Sequence, residues 1–138
     1  MQREGGCACG AIRFEAEIEP MVTVACHCGD CQKLSGGGPN YFALLPSNTI
    51  RLIQGSPLIY ERKADSGGTI RRAFCATCGS HLWGIPSLAP FMTVKVGAFH
   101  DTSDLGPMMH IHTASAPAWH PVPRTLPKFP RMLAQMLG

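Results

Sequence analysis

Cys7-Ala8-Cys9-Gly10 and Cys75-Ala76-Thr77-Cys78-Gly79 are the two stretches on which the fold of this chain turns. With two residues between the cysteines, as at 75–79, one tight turn aims both sulfurs at a single ion. The glycine after the second cysteine permits a left-handed turn and frees amide donors near sulfur. The stretch at 7–10 does the same with a tighter bite. One pair cannot complete a tetrahedron, but two can. Cys7, Cys9, Cys75 and Cys78 are therefore read as a closed four-sulfur site with a structural role. Such a site ties the N-terminus to the middle of the chain and contributes folding free energy directly.

The remaining cysteines fall in one cluster, Cys26-His27-Cys28-Gly29-Asp30-Cys31. Two sulfurs lie on an emerging strand, and the third sits at the start of a short helical turn, where terminal amides favour thiolate. Three protein ligands with a fourth position open is the pattern of a catalytic zinc. Two alternatives stay open. Four-sulfur sites also hold iron, and a histidine could close the three-sulfur site and make it structural. His81, His100, His110, His112 and His120 are candidates by sequence distance. His27 points poorly for this if Cys26 and Cys28 share a face.

Working outward, the chain has 138 residues, enough for one domain with a real core, and no internal linker divides 1–138. It is 45% hydrophobic and 15% charged, which excludes a disordered chain. Gly 15 and Pro 12 argue for many turns and short strands rather than a helical bundle. Alternation predicts strands over 12–18, 21–25, 41–45, 49–53, 58–62, 69–74, 81–85 and 91–96, with a short one near Ile111. The 49–53 and 58–62 strands are joined at Gly55-Ser56-Pro57. A helical turn is expected within 29–34, and one or two more over 131–137.

Seven cysteines is an odd number, and Met1-Gln2-Arg3-Glu4 runs into Gly5-Gly6-Cys7 with no apolar stretch. Both facts point to a reducing, cytoplasmic setting in which thiols are ligands rather than disulfides. No run of 18 apolar residues is present, so no membrane span is expected. The formal charge of +3 counts every cysteine as neutral. Seven thiolates and two zinc ions would bring it to neutrality, which argues against a nucleic-acid surface.

The chain resembles the glutathione-dependent formaldehyde-activating enzyme family, which includes centromere-protein-V-like proteins. The likeness rests on GGCACGAIRFE at 5–15, CHCGDCQKLSG at 26–36, FCATCGSHLW at 74–83 and APAWHPVPRTLPKFP at 116–130. It implies an all-β, Mss4-like (β-tent) zinc-binding fold with short helical turns. It also implies two zinc ions, one structural on Cys7, Cys9, Cys75 and Cys78, one catalytic on Cys26, Cys28 and Cys31. The activity implied is carbon–sulfur lysis or its reverse, the addition of a small thiol, with glutathione a candidate, to formaldehyde or a similar aldehyde.

For that chemistry Lys33, Arg62, Arg71 and Arg72 are candidates to meet a substrate carboxylate, and His27 to shuttle a proton. Trp83, Phe91, Phe99, Trp119 and Phe129 are expected in the core first and at a pocket second. Asp101 and Asp104 are read as a solvated turn rather than an acid/base pair. The rival from another class is a non-enzymatic zinc module that mediates protein interaction. Self-association into a homodimer is left open.

Overall fold

The computed structural model describes residues 2–17, 19–20, 22–64 and 67–131. Among the described residues, ten strands and one helix carry the fold: β1 (Arg3–Gly6), β2 (Arg13–Ala16), β3 (Val22–Cys26), α1 (Gly29–Ser35), β4 (Asn40–Pro46), β5 (Ile50–Gln54), β6 (Leu58–Lys63), β7 (Thr69–Phe74), β8 (His81–Pro86), β9 (Phe91–Lys95) and β10 (Met109–Ile111). Two single 3-10 turns, Val96–Ala98 and Thr113–Ser115, complete it. The protein is all-β, as expected. The helical turns expected over 131–137 lie, apart from Arg131, outside the described residues.

The strands form two sheets. One is three-stranded, in the order β1-β2-β5; the other is seven-stranded, in the order β10-β3-β4-β9-β8-β7-β6. All neighbours are antiparallel except β10 and β3. The strands expected over 49–53 and 58–62, joined at Gly55-Ser56-Pro57, are present as β5 and β6. These strands are consecutive, but β5 ends the small sheet and β6 ends the large one. Gly55, with φ at 78°, turns the chain there, and an added Cβ would lie 2.3 Å from the Ala11 oxygen.

The strand alternation sorts side chains into two compartments. On β4, Ala43 and Leu45 enter the core between the sheets, with Met92 and Val94 of β9. Phe14 from β2 fills the centre of that core at 1% exposure, edge-on to Trp83 at 5.4 Å and to Phe99 at 5.8 Å. A fully buried phenylalanine of this kind contributes about 1.5–3 kcal/mol. On the other face, Phe42 and Leu44 of β4 pack with Val24, Cys26, Cys31 and Ile111. The second compartment holds the three-cysteine loop.

Candidate metal centres and cavity

The two knuckles meet. The ligand sulfurs of Cys7, Cys9, Cys75 and Cys78 all lie within 4.8 Å of one another. Cys7 Sγ is 3.6 Å from Cys9 Sγ, and Cys9 Sγ is 3.8 Å from Cys75 Sγ. A tetrahedral ion bound at about 2.3 Å requires sulfurs about 3.8 Å apart. Each knuckle is built as its glycine dictates. Gly10 (φ 81°) donates to the Cys7 carbonyl at 3.2 Å, and Gly79 (φ 75°) donates to the Cys75 carbonyl at 2.9 Å. Amide donors converge on sulfur as well: Ile12 N–H reaches Cys7 Sγ at 3.2 Å, and Thr77 N–H reaches Cys75 Sγ at 3.4 Å. Ser80 stands 3.2 Å from Cys78 Sγ, and its hydroxyl is the main reason that thiol falls to about 5.

Cys26, Cys28 and Cys31 form the second group, and among the described residues the ligand atoms within 4.8 Å of one another there are these three sulfurs. β3 delivers Cys26. Cys28 caps α1, its sulfur accepting from the Cys31 N–H at 3.3 Å, and Cys31 sits buried in the first turn. Hydrogen bonds from Cys26 and then Cys31 draw the Cys28 thiol down to about 2. The same contacts with Cys28 and Cys31, together with burial, push Cys26 strongly up. Three packed thiols thus accommodate one thiolate easily and resist the rest. A divalent cation among them is what would let all three ionise. Both clusters could hold a metal ion, and both donor sets suit zinc.

The two sites differ in what they face. The three sulfurs line a cavity of about 700 Å³ that runs across the outer face of the large sheet. The four-sulfur cluster contributes nothing to its wall. Phe42, Leu44, Phe91 and Trp83 are among the apolar side chains that line the cavity. Among the described residues the charged lining is Arg62, Lys63, Arg72 and Lys95 against one carboxylate, Asp30. Asp30, beside the cysteines on α1, is held from the far strands. Arg62 of β6 pairs with it at 2.5 Å, and Arg72 of β7 binds its other oxygen.

The sequence candidates divide accordingly. Arg62 and Arg72 line the cavity; Arg71, one residue along β7, is exposed on the opposite face. Lys33 is exposed on α1 and does not line the cavity. The His27 side chain is fully buried away from the cavity, its Nε2 2.9 Å from Nδ1 of His110, with the His120 ring 5.4 Å off. Burial, then the neighbouring histidines, lower its basicity. His81 and His112 reach the cavity wall, whereas His100, His110 and His120 do not. Phe91 and Trp83 line it, Phe99 stays in the core, Phe129 packs behind the three-cysteine loop, and Trp119 is 69% exposed. Asp101 accepts from the Ser103 N–H at 3.0 Å in a turn, and Asp104 pairs with Arg3. Asn40 and Lys95, both on the wall, were missed. Lys95 alternates with Met92 and Val94 as a solvent-facing residue would, and the sequence alone does not say that its face is roofed over.

Fold and site together define a class: an antiparallel β protein with two sulfur clusters able to hold metal ions, one of them opening into a cavity. Residues 2–115 match the family model of the glutathione-dependent formaldehyde-activating enzyme, and the chain belongs to that family. A Halomonas elongata protein, described provisionally as a glutathione-dependent formaldehyde-activating enzyme, is 35% identical over 89 residues. The match covers 60% of this chain and 55% of that protein, so the chain spans about half the length of its curated relative. A structural-genomics crystal structure of a Rhodobacter sphaeroides protein superposes with a TM-score of 0.57 at 23% identity. It covers 75% of this chain and 94% of that one, and it shows that the fold is shared. No helix among the described residues is long and apolar enough to cross a membrane.

Proposed function

We propose that this protein is a zinc-dependent carbon–sulfur lyase, or runs the reverse condensation, joining a small anionic thiol to formaldehyde or a similar aldehyde. Glutathione is the first thiol to test. Cys7, Cys9, Cys75 and Cys78 would hold a structural zinc, and Cys26, Cys28 and Cys31 a catalytic one. The reading is carried by one observation: the three-sulfur cluster opens into a cavity of about 700 Å³ whose charged side chains are mostly cationic. Zinc in that cluster would lower the pKa of a substrate thiol and hold it near its electrophile.

The chain's own residues account for binding. Arg62 and Arg72 share one carboxylate, Asp30, so the trio keeps a positive charge that a substrate carboxylate can meet. Phe42, Leu44 and Phe91 keep water from the reacting atoms. In the synthetic direction the sulfur pair forms a bond to the carbonyl carbon, the C=O π pair moves to oxygen, and that oxygen takes a proton from water.

The test is carbon-13 NMR of labelled formaldehyde with glutathione and zinc-loaded protein. The S-hydroxymethyl adduct should equilibrate faster than without protein, and Cys28→Ser should abolish the acceleration. With cobalt in place of zinc, thiol should shift one centre and leave the other fixed. No acceleration and no shift with any small thiol would end this reading.

A second reading, a binding module without catalysis, draws on the exposed apolar side chains of the two edge strands, Leu52 and Ile53 on β5 and Leu58, Ile59 and Tyr60 on β6. The same NMR experiment separates the two.

A further inference from the structure

The sulfurs facing the cavity do not share one kind of hydrogen-bond donor. Cys28 Sγ accepts from the backbone N–H of Cys31, a donor that comes with the loop. Cys31 Sγ takes its hydrogen bond from a side chain instead: Asn40 Nδ2, 3.7 Å away.

An amide has two ends, and either could face the sulfur. Lys95 decides which. Its Nζ donates to Asn40 Oδ1 at 2.6 Å, so the carbonyl end faces the ammonium and the NH₂ end faces Cys31. Asn40 is 8% exposed. The register explains the reach. Asn40 opposes Cys26 across β3 and β4, and Phe42 opposes Lys95 across β4 and β9. Lys95 therefore crosses a diagonal of two residues, which a long side chain spans.

We propose that Asn40 and Lys95 are positioning residues for Cys31. Lys95 fixes the Asn40 amide, and the amide occupies a sulfur lone pair of Cys31. A cation behind the amide strengthens its N–H as a donor. The amide thereby holds the Cys31 sulfur in the orientation a metal in the cluster needs, and leaves it a weaker nucleophile toward anything else in the cavity. If the cavity admits an aldehyde, which rests on the proposed function, the second effect matters. A Cys31 sulfur with free lone pairs would itself attack the carbonyl carbon, the oxygen would take a proton from water, and the ligand would be lost as a neutral hemithioacetal.

The experiment needs neither thiol nor aldehyde substrate, so its outcome is separate from that of the proposed activity. Zinc-loaded protein and the Asn40→Leu and Lys95→Met variants are exposed to limiting iodoacetamide, and each modified cysteine is located by peptide mass spectrometry. Metal affinity of the three-sulfur site is measured by competition with a chromophoric chelator. In Asn40→Leu, Cys31 alkylation should accelerate roughly tenfold and affinity should fall about 10–100-fold, the usual effect of removing a partner of a metal ligand. Cys7, Cys9, Cys75 and Cys78 should react as before. Lys95→Met should move both quantities less and in the same direction; should Asn40→Leu fail to fold, this variant still decides. Equal acceleration at Cys26, Cys28 and Cys31, or no change at Cys31 in either variant, would overturn the proposal.

Discussion

Removing the second knuckle, with Cys75→Ser and Cys78→Ser together, should cost far more stability than removing the three-sulfur site. The reason is chain connectivity. Cys9 and Cys75 meet across 66 residues. A cross-link closing a loop of that length removes unfolded-chain entropy worth about 4 kcal/mol. Cys26, Cys28 and Cys31 close a loop of only a few residues, worth about 2 kcal/mol on the same scale. Those figures describe a cross-link that persists on unfolding. If the ion is released instead, its binding free energy adds to the native state and the loss is larger. A domain is stable by about 5–15 kcal/mol, so the double variant should lose a large fraction of its stability, and Cys28→Ser about half as much. Urea unfolding followed by tryptophan fluorescence reads this directly, because Trp83 packs on Phe14 in the core that also holds Cys7 and Cys75. The midpoint should drop at least twice as far for the double variant as for Cys28→Ser, at constant slope. Equal drops, or a larger drop for Cys28→Ser, would refute the assignment of the stapling role to the four-sulfur site.

Two further outcomes are expected. Arg72→Gln should raise KM for a carboxylate-bearing thiol about tenfold or more, with little change for an uncharged thiol such as 2-mercaptoethanol, since a lost charged hydrogen bond costs about 1.5–3 kcal/mol; steady-state kinetics on the two thiols checks it. Stability should fall as pH falls below about 6.5, because burial holds His27 and His110 below the ordinary imidazole value. The unfolded chain then takes up protons first, so this contribution is complete above the unfolded value and is lost through the window down to the lowered folded values. His110→Gln should flatten that dependence in urea titrations run at a series of pH values, and an unchanged slope would dismiss the histidine pair as its source.

The strands legible in the sequence are those whose residues carry a period of two. On β2, Phe14 and Ala16 are buried while Arg13 is exposed, the alternation that the sequence displays. β1 was not legible, because Arg-Glu-Gly-Gly has no strand preference. It is a strand through its position: a Cβ on Gly5 would lie 2.3 Å from the Ala98 oxygen, so only a bare backbone fits between that turn and Phe14. The grouping of the cysteines was legible because knuckle spacing is a local property and because two sulfur pairs, unlike one, complete a tetrahedron. Asn40 and Lys95 were not, because their roles depend on which strands become neighbours. That order, β3-β4-β9, is written in no local stretch.

The alternation of β4 has an evolutionary consequence. Ala43 and Leu45 answer to the core, and Phe42 and Leu44 answer to the cavity. Neighbouring codons therefore lie under different selection, one set for folding and the other for what the cavity admits. The cavity-facing positions of β4 and β9 can drift toward a new ligand while the four-sulfur cluster and the inter-sheet core stay untouched. A library confined to Phe42, Leu44, Phe91 and Thr93 would explore substrate range on a scaffold whose folding residues are left alone.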